Sequence, residues 1–152
     1  MSQMLEGKSI IVTGAGRGIG RAIAIMLADA GANVVVNDLG VSAQGEGADS
    51  SPAAQVVDEI TAGGGNAIAN CASVAESAAA ESIVQSCIDT FGGVDGVVNN
   101  AGILRDSIFH KMSEDQFDLV IKVHLKGSFN MSRACAPVSY THLRAHETQF
   151  DL

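Results

Sequence analysis

Thr13-Gly14-Ala15-Gly16-Arg17-Gly18-Ile19-Gly20 is a glycine-rich octapeptide lying between a β-branched run, Lys8–Val12, and a helix-like apolar stretch, Ala22–Leu27. Glycines in such a turn let backbone amides approach an anion with no Cβ in the way, and they accept positive φ without strain. A helix that starts directly behind the turn aims its unpaired N–H groups and positive dipole end at the same point. The chemistry this arrangement serves is binding of a pyrophosphate. The spacing is T-G-x-x-x-G-x-G, carried by Gly14, Gly18 and Gly20. Neither G-x-G-x-x-G nor a phosphate loop closing on Gly-Lys-Ser/Thr fits it. Taken alone, the turn is also compatible with a tight strand-to-helix connection that binds nothing.

Asp38 ends a second apolar run, Val34–Asn37, eighteen positions beyond Gly20. A carboxylate there can accept both hydroxyls of an adenosine ribose and repels a 2′-phosphate, which favours NAD over NADP. Arg17 pulls the other way if its guanidinium meets that phosphate, and is otherwise a solvated loop charge. NAD is the expected cofactor.

The elements that would position these residues alternate. Strands are expected at Lys8–Thr13, Asn33–Asp38, Ala67–Asn70 and Gly96–Asn99. Helices are expected at Gly18–Ala30, from Ser51-Pro52 to the glycines at 63–65, and at Ala78–Phe91. Gly31 suits a helix end needing positive φ. Leu39–Asp49 reads as a loop. Ser113-Glu114-Asp115-Gln116 is a capping box opening a further helix, whose expected buried face is Phe117, Val120, Ile121 and Leu125. Strands alternating with helices of this length imply right-handed crossovers and a parallel sheet, with ligands at the strands' carboxyl ends. Gly14–Gly20, Asp38 and Asn99–Gly102 all fall at such ends.

Composition narrows the function classes. The 152 residues are 47% hydrophobic and only 17% charged, as expected for one domain whose sheet is covered on both faces. A net charge of −8 argues against nucleic acid or an anionic membrane as partner. No apolar stretch is long enough to span a bilayer, and the first residues lack a signal-peptide pattern. Three cysteines without C-x-x-C spacing read as reduced, mostly buried thiols of a cytoplasmic protein. His142 and His146 have i, i+4 spacing but no third ligand, so no metal site is expected.

Three stretches together resemble the short-chain dehydrogenase/reductases: TGAGRGIG, NDLG around Asp38, and Asn99-Asn100-Ala101-Gly102. Val36–Gly40 and Val123–Phe129 look most like the (3R)-hydroxyacyl-CoA dehydrogenase branch, with 3-oxoacyl reductase-like enzymes close behind. The resemblance implies a Rossmann-type doubly wound parallel sheet and hydride transfer between a nicotinamide and a carbonyl or hydroxyl carbon. It implies cofactor contacts at Gly14, Arg17, Gly18, Ile19, Gly20, Asp38, Val74, Asn100, Ala101 and Gly102. Asn100–Gly102 would lie on the nicotinamide-ribose side and Val74 at the adenine. Ala72 stands where the family often has an adenine-contacting Asp. His124 stands where most members carry a catalytic Asn, and no proton-transfer role is assigned to it. Ile103, Leu104 and Arg105 are candidates for touching an acyl or carbonyl substrate, with a surface loop as the alternative. The family resemblance also implies a homo-oligomeric parent.

The resemblance covers roughly Leu5 to Pro137, through the fourth strand and the helix after it. The family completes its reaction with a Ser and a Tyr-x-x-x-Lys pair, and neither is found here. Tyr140 is followed at the fourth position by Arg144, which holds its proton too firmly for a relay. Val138–Thr148 instead resembles translated sequencing-adapter DNA, and 138–152 is expected to be an exposed, poorly packed tail outside the 1–137 domain. No catalytic residue is therefore expected. The other readings are a non-catalytic dinucleotide-binding module and a structural α/β protein without ligand.

Overall fold

The computed structural model describes residues 3–40 and 51–142, with Ser51 and 139–142 known by their backbone. Strands β1 (Ser9–Thr13), β2 (Asn33–Asn37), β3 (Asn66–Asn70) and β4 (Gly96–Val98) form one parallel sheet in the order β3-β2-β1-β4. Helices α1 (Gly18–Asp29), α2 (Ser51–Ala62), α3 (Ser77–Phe91), α4 (Glu114–Ile121) and α5 (Gly127–His142) connect or follow the strands. This is the expected Rossmann-type α/β architecture. Strand pairing is in register along β1, from Ser9 opposite Asn33 to Thr13 opposite Asn37, with Val12 also opposite Val98.

The three middle residues of each of the two central strands are apolar because both faces of these strands are covered. Val12, Val34 and Val36 pack with Ala24, Ala28, Val56 and Ile60 on the α1–α2 side. Ile11 and Val35 point the opposite way, joining Ile83, Cys87, Val94, Met131 and Cys135 on the α3–α5 side. This period-two alternation fixes the register, since a slip of one residue would exchange the two sets. Each fully buried Val or Ile contributes about 1.5–3 kcal/mol relative to exposure. Gly31 (φ 97°) and Gly92 (φ 87°) end α1 and α3 in the left-handed region.

The chain runs outward from β1 to β2 to β3, then returns across the sheet to place β4 on the other side of β1. Connections leaving β1 and β4 therefore diverge to opposite faces and open a crevice at the strands' carboxyl ends.

Two expectations need correction. The capping box at Ser113 forms, with Ser113 Oγ accepting from Gln116 N and Gln116 Oε1 accepting from Ser113 N. The helix face behind it is not buried, however: Phe117, Ile121 and Leu125 are 56%, 40% and 66% exposed. Contact with α3 and β4 comes from α5 instead, through the fully buried Met131 and through Cys135. The second correction is at Pro137. The helix continues through it to His142, and half-buried Val138 packs at the margin of the α3–α5 core, so the backbone does not leave the fold at residue 138. Residues 143–152, including Arg144 and His146, and residues 41–50 of the expected loop lie outside the described residues. No described helix is long and apolar enough to cross a membrane.

Candidate functional site

A cleft of about 490 Å³ opens at the carboxyl ends of β1, β2 and β4, within the size range of small-molecule sites. Gly14, Arg17 and Gly18 form one side, Asn37, Asp38 and Leu39 another, and Asn100–Ile103 a third. Ala72–Glu76 after β3, with Leu119, Lys122 and Val123, close the far end. Eight of the ten expected cofactor residues line this space: Gly14, Arg17, Gly18, Asp38, Val74, Asn100, Ala101 and Gly102. Ile19 and Gly20 are absent from its wall. Ile19 projects outward at 74% exposure, and Gly20 is buried behind the turn.

Each glycine of the turn has a different steric reason. Gly14 (φ 62°) passes the Asn100-Ala101 segment so closely that a Cβ would sit 2.8 Å from Ala101 Cα. At Gly16 a Cβ would meet Asp38 Oδ2 at 2.8 Å. At Gly20 it would collide with Gly14 O and with Asn100 Nδ2. Gly18 (φ 54°) faces open space, so its glycine answers to backbone conformation and access rather than to packing.

The helix behind the turn is left open to an anion. Arg17 at the N-cap of α1 makes no side-chain capping bond, and the first turn holds no acidic residue. In α4, by contrast, Ser113 caps the helix and Glu114 and Asp115 occupy the first turn. Unpaired amides, a positive dipole end and a glycine cradle fit the pyrophosphate of a dinucleotide.

Hydrogen bonds set the walls. Asp38 Oδ2 accepts from Gly16 N at 2.7 Å and Oδ1 from Gly40 N at 2.7 Å, which fixes the carboxylate plane against the glycine turn. Asn100 Nδ2 donates to Thr13 O and Gly14 O, both at 3.0 Å, tying the β4 connection to the start of the turn. Buried Thr13 Oγ1 donates to Val98 O at 3.2 Å and accepts from the amides of Asn100 and Ala101 at 3.1 Å each. Asn130 Nδ2 donates to Val74 O at 2.9 Å, pinning the loop after β3 to α5. At the rim, Lys122 pairs with Glu76 and holds that carboxyl below its ordinary range.

Asn130 carries no motif signal and reads as an ordinary helix residue, and the motif that begins at Thr13 does not show its hydrogen bonds to the β4 connection. Only a polar side chain among apolar neighbours could have marked Asn130. The substrate candidates divide: Ile103 is buried and lines the cleft, Arg105 is half-buried, and Leu104 is 60% exposed. His124 Nε2 lies 3.0 Å from Ile103 N and 2.9 Å from Ile103 O.

The family model for short chain dehydrogenases matches residues 8–144. The chain is 50% identical over 144 residues to peroxisomal multifunctional enzyme A of Dictyostelium discoideum, covering 95% of this chain and 31% of that protein. It is 42% identical over 130 residues to the 3-oxoacyl-(acyl-carrier-protein) reductase of Staphylococcus aureus, covering 86% and 50%. A crystal structure of a short chain dehydrogenase from Mycobacterium avium superposes with a TM-score of 0.81 at 49% identity, covering 89% of this chain and 47% of that one. The chain thus spans half or less of the length of each.

Proposed function

The chain belongs to the short chain dehydrogenase family, whose members bind NAD(P), and on that premise we propose that it holds NAD in the cleft beside β1. The activity it would serve is oxidoreduction of 3-hydroxyacyl-CoA or 3-oxoacyl compounds. Bound NAD supplies the hydride acceptor, or in reduced form the donor. The amides of Gly18–Gly20 would take the pyrophosphate, Asp38 the adenosine ribose hydroxyls, and Asn100–Gly102 the nicotinamide-ribose side. The observation that carries the reading is the Asp38 carboxylate fastened to Gly16 N, which puts a fixed negative charge against the glycine turn. A 2′-phosphate brought there would meet that charge.

Proton transfer is the missing half of the chemistry. Reduction of a carbonyl needs a donor beside the developing alkoxide. The one tyrosine, Tyr140, lies on α5 and is followed by arginine at position 144. This chain is accordingly proposed to bind cofactor with negligible turnover.

Calorimetry with NADH and NADPH, together with a turnover assay on acetoacetyl-CoA, tests the reading. The expected result is NADH binding, with NADPH weaker by at least about tenfold because opposed like charges cost several kcal/mol, and no measurable turnover. Equal affinity for the two cofactors overturns the NAD preference. Brisk turnover overturns the non-catalytic reading, and absence of binding leaves a structural α/β protein.

A further inference from the structure

Asn37 closes β2 and is only 2% exposed, yet it lines the cleft beside Asp38. A carboxamide nitrogen carries two hydrogens and its oxygen two lone pairs, and burying them is costly until they find partners. The nitrogen is fully engaged. Asn37 Nδ2 donates to Ala72 O at 2.9 Å, and to Asn70 Oδ1 and O at 3.2 and 3.3 Å. Asn70 is held in turn, its Oδ1 accepting from Ala72 N at 2.9 Å and its Nδ2 donating to Ser86 Oγ at 3.3 Å. The Asn37 carboxamide therefore has one orientation, because turning it over would set its oxygen against three acceptors. The oxygen is a different case. Among the described residues nothing donates to Asn37 Oδ1, and that atom is not sealed from solvent. Solvent reaches Asn37 at the cleft, so a rigidly aimed acceptor stands in the cleft wall with no protein donor among the described residues.

We infer that Asn37 Oδ1 reads the base of the cofactor, accepting a hydrogen bond from the exocyclic amino group of adenine. The inference rests on the function proposed above, which fixes the direction of the dinucleotide. With the pyrophosphate at Gly18–Gly20, the ribose hydroxyls on Asp38 and the nicotinamide side at Asn100–Gly102, the base leaves Asp38 toward Ala72–Glu76. That loop is the one Asn37 ties down through Ala72 O. An adenine amino group is a donor and completes the carboxamide. Hypoxanthine carries a carbonyl oxygen in place of the amino group and brings acceptor against acceptor. The carboxamide cannot turn to meet it, since both of its hydrogens are committed to Ala72 and Asn70.

The experiment compares, on the full chain, the affinities for NADH and for reduced nicotinamide hypoxanthine dinucleotide, in the wild type and in Asn37→Leu. Thermal melts establish that the variant is folded. The ratio of the two affinities is the readout, because loss of the tethers to Asn70 and Ala72 loosens the loop for both dinucleotides alike. The wild type is expected to favour NADH by at least about tenfold, the scale of one hydrogen bond gained and one acceptor left unpaired. In Asn37→Leu the ratio should fall to near unity. If Asn37→Leu does not fold, Asn37→Ser takes its place, its hydroxyl being too short to reach the base. The wild-type chain also gives a reading that needs no substitution: the side-chain carbonyl resonance of Asn37 should shift on saturation with NADH and stay in place with the hypoxanthine analogue. Equal wild-type affinities, a preference that survives replacement of Asn37, or an unmoved Asn37 carbonyl in the NADH complex overturns the inference while leaving the proposed function standing. Failure of the wild-type chain to bind either dinucleotide overturns the proposed function and the inference with it.

Discussion

Cys87 and Cys135 share the apolar cluster between α3, α5 and the sheet, and burial there disfavours their charged thiolates. The Cys87 thiol is pushed up to about 12, first by burial and then by the neighbouring Cys135 and Asp95; burial takes Cys135 to about 11. Because the folded values lie above the unfolded one, the unfolded chain ionises first. Their stabilising contribution is complete below about pH 8.5, the ordinary thiol value, and declines as pH rises toward the folded values. Thermal melts from pH 7 to 10.5 should show a falling midpoint, less steep in Cys87→Ala; identical slopes would contradict the assignment. In native protein at pH 8, iodoacetamide should modify exposed Cys71 and spare the two buried thiols, as read by mass spectrometry. At this scale the glycine spacing, Asp38 and Asn100 were legible because their chemistry depends on residue type and position along the chain. The contacts that Thr13 and Gly102 make, and any role for Asn130, were not. They arise across 56 to 88 positions, or 22 where Gly102 meets His124, which no local pattern encodes.

At the scale of elements, the β1–α1 turn is a packing device as well as the proposed anion cradle. Gly20 on the first turn of α1 meets Gly14 O and Asn100 Nδ2 with no room for a methyl. Gly20→Ala should therefore destabilise the chain by about 1–3 kcal/mol, the usual cost of overpacking, despite alanine's higher helix propensity. Urea unfolding measures this, and a neutral or stabilising result would show that the turn relaxes freely. The strands and helices of the first three crossovers were legible from hydrophobic period and glycine punctuation. The α4 face differs from expectation because helical spacing reports which residues share a face and not whether anything covers it. Phe117, Ile121, Leu125 and Phe129 recur every four residues, yet all are exposed. The π-helical turn at Lys122–Lys126, between α4 and α5, escaped for a related reason, since its hydrogen-bond pattern leaves no compositional mark. The helix runs past Pro137, where the resemblance ends, because a helix can absorb one proline at the loss of a backbone bond.

For the molecule as a whole, strand order converts three separated sequence stretches into one cleft. Only the return of β4 to the side of β1 brings Asn100 against Gly14, and only β2 on the opposite side brings Asp38 against Gly16. That topology was legible because alternating strands and helices admit few parallel arrangements, and the ligand crevice follows from the order. The central claim is that this crevice is where the dinucleotide sits. Amide chemical-shift mapping of the isotope-labelled chain during NADH titration tests it most directly. The account predicts saturable shifts concentrated at Gly14–Gly20, Asp38–Gly40, Ala72–Glu76 and Asn100–Ile103, with the opposite end of the sheet around Gly31 and Gly63–Asn66 unmoved. Shifts centred on that opposite end, or none at saturating NADH, would contradict it.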